Sequence, residues 1–160
     1  LLVWITKIGN PFVLACVAIF IAVMLIVRKN SYDAMLFLIA LIVATISLTV
    51  LKNVFQISRP VSDIYQPQGW SFPSGHATVA TAFFFLLAHT FFGRMKTAGK
   101  KTVLILGSVF SAALICFSRL YLGAHWTLDI LAGISLGVLS VSFTILIVAP
   151  RRSLRKTINL

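Results

Sequence analysis

Five apolar stretches, at roughly residues 8–27, 34–51, 77–92, 102–118 and 127–149, constrain this 160-residue chain more than anything else in it. Each approaches the ~20 apolar residues that carry a helix across the hydrocarbon core of a bilayer. Backbone amides find no water there, so spanning segments must be helical and satisfy their own hydrogen bonds. With 59% of its residues hydrophobic and only 11% charged, the chain is excluded from the soluble globular class. The expected fold is all-α: a polytopic transmembrane helical bundle formed by residues 1–160 as one domain, because five spans leave no length for a second.

In a soluble protein the formal net charge of +11 would suggest a nucleic-acid ligand, but its placement here reads as membrane topology. Arg28 and Lys29 follow the first stretch, and Arg94, Lys96, Lys100 and Lys101 follow the third. Arg151, Arg152, Arg155 and Lys156 follow the fifth. If every stretch crosses the bilayer, these ten of the fourteen basic residues share one side, which the positive-inside rule makes cytoplasmic. No nucleic-acid partner is expected, and the basic tail suits anionic lipid head groups. Cys16 and Cys116 fall inside apolar stretches and read as packing residues. Gly107, Gly133 and Gly137, with Ser108, Ser111, Ser135 and Ser140, read as positions of close helix approach. Residues 1–10, which include Trp4 and Lys7, read as a lead-in without the order of a signal peptide, so a larger polypeptide is expected.

The other side carries Lys7, Lys52, Arg59 and Arg119, and three polar groups converge there. Polar side chains at membrane depth are costly and call for a functional account. In the first group, Lys52 and Arg59 stand seven apart, about two helical turns, which returns both cations to one face before Pro60 stops the helix. Two cations on one face repel unless they share an anion; flanking charges that snorkel to the interface are the alternative. The second group is Pro73-Ser74-Gly75-His76, which reads as a helix start whose free N–H groups and dipole cradle an anion beside His76. Between the two runs a long segment rich in Pro, Ser, Gln and Gly. Its Tyr65, Trp70 and Phe72 suit either a membrane-interface belt or substrate contact.

The third group spans Ser118 to Asp129. His125 and Asp129 are four apart, a spacing that on a helix lets the carboxylate take one imidazole N–H and leaves the other nitrogen as a nucleophile. His89 lies thirteen residues past His76, about 20 Å along a helix, and is expected to be structural. A metal is not expected: the three cations repel a divalent ion, and only two imidazoles and one carboxylate could ligate it.

Lys52-x6-Arg59-Pro60, Pro73-Ser74-Gly75-His76 and Ser118-Arg119-x5-His125-x3-Asp129 together resemble the signature of the type 2 phosphatidic acid phosphatase (PAP2) family, integral membrane relatives of vanadium haloperoxidases. The resemblance implies that Lys52, Arg59 and Arg119 bind phosphate with Ser74 and the Gly75 backbone. His125 would attack phosphorus to form a phosphohistidine, His76 would protonate the leaving oxygen, and Asp129 would orient His125, with no cofactor. It implies six spans where five are visible, and hence a first helix upstream. Candidate substrates are phosphatidic acid, phosphatidylglycerophosphate, undecaprenyl diphosphate and lipid A phosphates, met at the extracytoplasmic face of a bacterial cell membrane. A lipid phosphotransferase using the same intermediate is an alternative. A transporter is another, although its polar groups would sit near the midplane rather than at the outer helix ends.

Overall fold

The computed structural model describes residues 2–61 and 68–148; Tyr65, Pro67 and the basic cluster at 151–156 lie outside them. Among the described residues six helices follow one another: α1 (Leu2–Ile8), α2 (Pro11–Val27), α3 (Ser31–Phe55), α4 (Gly75–Phe92), α5 (Ala98–Tyr121) and α6 (Thr127–Val148). The last four are each long and apolar enough to cross a bilayer, and α1 and α2 together form a fifth such unit bent by 47°. Asn10-Pro11 makes the bend, because Asn10 Oδ1 accepts from the Phe12 N–H to cap α2 and Pro11 brings no N–H to continue α1. The expected lead-in is therefore a helix of its own. At the bend Gly9 presses on Ile115 of α5, where a Cβ would meet that side chain at 2.7 Å.

The outward surfaces carry Phe20, Val109, Phe110, Leu139 and Leu146, as expected of helices whose solvent is lipid. The core lies around α4, half of whose apolar window is buried against a third for α3 and α6. Leu36, Phe37 and Ala40 of α3 meet Ala80, Phe83 and Leu86 of α4 in one cluster. On the other side of α4, α6 comes close at two glycines. A Cβ on Gly133 would lie 2.8 Å from both the Ala77 Cβ and the Ser74 carbonyl oxygen, and one on Gly137 would lie 2.7 Å from the Thr78 carbonyl oxygen. Both positions thus bear out the small-residue reading, as do buried Ser108 and Ser140. Gly107 does not: a Cβ there meets nothing within 4 Å. Ser135 is exposed and Ser111 half-buried. Cys116 packs with Ala77 and Ile130, whereas Cys16 faces outward and is no core residue.

Arg28 at the end of α2 and Arg94 after α4 line one cavity, and Arg94 pairs with Asp33 in the first turn of α3 at 2.7 Å. The basic connections therefore meet at one end of the bundle. Lys52, His76, Arg119 and His125 belong to the opposite helix ends.

Candidate active site

α3 does not run to Pro60. It ends at Phe55 on Gln56, whose left-handed backbone (φ 47°) breaks the helix, so Lys52 and Arg59 do not share a helical face as expected. Arg59 reaches the same place by a non-helical route. Its Nε donates to the Gly69 carbonyl at 2.8 Å and its Nη2 to the Trp70 carbonyl at 3.2 Å, while Lys52 Nζ donates to that same Trp70 oxygen at 2.7 Å. Two cations thus converge on one carbonyl. Ser71 N–H donating to Ile57 O at 2.8 Å, and Trp126 Nε1 donating to Ser58 O at 3.1 Å, hold the segment against its neighbours.

The helix start falls two residues later than a Pro at the first helical position would put it. Ser74 is the N-cap of α4, its Oγ accepting from Ala77 N–H at 3.4 Å, and Gly75 is the first helical residue. Pro73 precedes the cap through a cis Phe72-Pro73 bond. Ser74 is fully buried and His76 half-buried in the first turn, with Arg119, Arg59 and Lys52 in its electrostatic surroundings. The Ser74 N–H donates to the Asp129 carbonyl at 3.0 Å, tying the start of α4 to that of α6.

His125 is not on a helix. It stands in the connection that follows Gly123 (φ 62°), two residues before α6 begins. The expected pair forms nonetheless: Nδ1 lies 3.3 Å from Asp129 Oδ2, and both side chains are almost wholly buried. Asp129 Oδ2 also accepts from the Trp126 N–H at 2.9 Å and from Ser71 Oγ. The Ser71 oxygen in turn lies 3.3 Å from His125 Nδ1. On the far side of the ring, Arg59 Nη1 is 3.2 Å from Nε2. A guanidinium can only donate, so Nε2 must accept, and the proton of the neutral imidazole belongs on Nδ1, facing Asp129 and Ser71. Burial, then the charges of Arg59, Arg119 and Lys52, push the His125 pKa far below its ordinary 6.5, which keeps the ring neutral.

Arg119 is buried in the last turn of α5, where its Nη1 donates to Thr6 Oγ1 of α1 at 2.7 Å. Every residue singled out for the site therefore lies at one end of the bundle. His89 lies near the other end of α4, exposed. Thr6 and Ser71 were not foreseen. Neither stands in a recognisable spacing.

The fold and this cluster define a class: an integral membrane protein with cationic and histidine side chains gathered at one end of its helices. The family model for the PAP2 superfamily matches residues 33–153, and the chain belongs to that superfamily. It is 31% identical over 144 residues to an undecaprenyl-diphosphatase of Sulfolobus acidocaldarius, across 86% of this chain and 64% of that protein. To phosphatidylglycerophosphatase B of Bacillus subtilis it is 33% identical over 139 residues, across 84% and 68%. The chain thus spans about two-thirds of the length of these relatives. The crystal structure of a transmembrane PAP2-type phosphatidylglycerolphosphate phosphatase from Bacillus subtilis matches with a TM-score of 0.81 at 28% identity, covering 89% of this chain and 72% of that one. LpxE of Aquifex aeolicus matches at 0.69 and 27%, covering 90% and 82%.

Proposed function

We propose that the chain is a membrane lipid phosphatase that cleaves a phosphate monoester or diphosphate through a phosphohistidine on His125, without a metal. The observation that carries this is the orientation of His125: Nδ1 engaged by Asp129 and Ser71, Nε2 turned to Arg59. A phosphoryl group drawn to Arg59, Lys52 and Arg119 meets the Nε2 lone pair. Its non-bridging oxygens are better partners for the guanidinium than the imidazole is, so substrate binding releases the nucleophile it needs.

Nε2 then attacks phosphorus as the bond to the leaving oxygen breaks, and His76 supplies that oxygen with a proton. Water attacks the phosphohistidine, His76 recovers a proton, and phosphate leaves with His125 neutral again. The cations, the Ser74 hydroxyl and the α4 N-terminus at Gly75 stabilise the charge on the equatorial oxygens. Asp129 balances the charge His125 acquires. The relatives' names, an undecaprenyl-diphosphatase and a phosphatidylglycerophosphatase, support a phosphorylated lipid as substrate. The clustering of basic residues at the opposite end supports a site on the extracytoplasmic side of a cell membrane.

The test is phosphate release from a panel of detergent-solubilised lipid phosphates with EDTA present. Release that persists in EDTA and vanishes in His125→Ala is expected. Release by a well-folded His125→Ala protein, or its loss on chelation, would overturn the mechanism.

A further inference from the structure

At the end of the bundle opposite the site, a cavity of about 170 Å³ has two unlike halves. Its floor is Ile21, Met24 and Leu25 of α2 with Phe91 of α4, and its rim is Arg28, Asn30 and Arg94. Asp33 Oδ2 accepts from Asn30 Nδ2 at 2.5 Å and from Arg94 Nη2 at 2.7 Å, so this carboxylate is already engaged. Among the described residues no carboxylate lies within ion-pair distance of Arg28. The rim is therefore short of negative charge, and Lys29 and Lys96 on the adjoining connections, with Lys100 and Lys101 in the first turn of α5, deepen the deficit.

The floor narrows the kind of anion that the rim suits. From Arg28 down to Ile21 is seven residues of helix, about 10 Å, which takes the cavity from the interface into hydrocarbon depth. A free phosphate would use the rim and leave the apolar floor unfilled. We infer that this cavity binds an anionic phospholipid of the leaflet at that end, its phosphate on the Arg28 and Arg94 guanidinium groups and the start of an acyl chain along Ile21, Met24, Leu25 and Phe91. Guanidinium groups suit such a site because each offers a planar fork of donors to phosphate oxygens. The bound lipid would bridge the end of α2 to the end of α4.

The experiment is thermal unfolding of the full chain in neutral detergent with phosphatidylserine, with phosphatidylcholine, or with inorganic phosphate at the same concentration. Wild type, Arg28→Gln and Lys52→Gln are compared, the last to separate this cavity from the cationic cluster at the other end. Phosphatidylserine is expected to raise Tm by roughly 2–4 °C in wild type and Lys52→Gln. Arg28→Gln should lose most of that rise, and phosphatidylcholine should give none. Native mass spectrometry should show one phosphatidylserine retained by wild type and not by Arg28→Gln. An equal rise in Arg28→Gln, or a rise lost in Lys52→Gln and kept in Arg28→Gln, would overturn the assignment. So would an Arg28-dependent rise with inorganic phosphate alone.

Discussion

The orientation of one imidazole rests on two hydroxyl and carboxylate contacts and one guanidinium, and each can be removed singly. Ser71→Ala deletes a hydrogen bond to an ionised carboxylate, worth about 1.5–3 kcal/mol. Spent on positioning His125, that corresponds to a fall in kcat of roughly 10- to 100-fold. KM should change little, because the Ser71 hydroxyl faces Asp129, while Lys52 meets only the Ser71 carbonyl, which the substitution keeps. Steady-state kinetics on the purified variant, with circular dichroism for its fold, checks this. Arg59→Gln tests the electrostatics. Neutral His125 is the reactive form, and burial and neighbouring cations hold its pKa below 6.5. Its protonation, and with it the acid limb of kcat/KM, should therefore lie below pH 6.5 in the wild type. Removing Arg59, the largest of the charge effects, should move that limb to higher pH as well as lower its plateau. A pH profile with an unmoved limb would show that Arg59 does not govern the imidazole.

Two helix contacts position these residues. α6 approaches α4 so closely at Gly133 and Gly137 that a methyl group would strike backbone atoms. Such an approach is what joins Ser74 N–H to the Asp129 carbonyl. Gly137→Ala should cost about 1–3 kcal/mol by overpacking, read as a lowered Tm, whereas Gly107→Ala, open to lipid, should be neutral or slightly stabilising. α1 acts at the other flank, where Thr6 accepts from buried Arg119. Thr6→Val keeps the shape and removes the acceptor. It should weaken substrate binding, seen as a raised KM, because Arg119 loses the contact that aims it.

At the scale of the whole molecule, the charges of the described residues are divided between the two ends. The Arg28, Asp33 and Arg94 cluster marks one, and the site marks the other. In a protein freed of Cys16 and Cys116, Val61→Cys and Lys96→Cys should be labelled by an impermeant thiol reagent from opposite faces of the membrane. Val61 should react from outside intact cells; both residues are exposed. Labelling of both from one face would contradict the topology.

The membrane class, the helical fold and the approximate spans were legible because apolar length alone decides them. The candidate site residues could be singled out because three polar groups fall at the ends of apolar runs on the same side, a coincidence that snorkelling flanking charges explain poorly. What spacing could not supply was the path of the chain between runs. Helical periodicity put Arg59 on α3 and His125 on α6, and the backbone leaves the helix at Gln56 and enters α6 only at Thr127. Ser71 and Thr6 were invisible because their partners are remote: Asp129 is 58 positions from Ser71, and Arg119 is 113 from Thr6. The sequence by itself determined which residues would meet at one end of a membrane bundle. Which atoms touch, and therefore which nitrogen of His125 faces the cations, only the packing of the helices and their connections decided, because such contacts depend on relative position rather than on any local pattern.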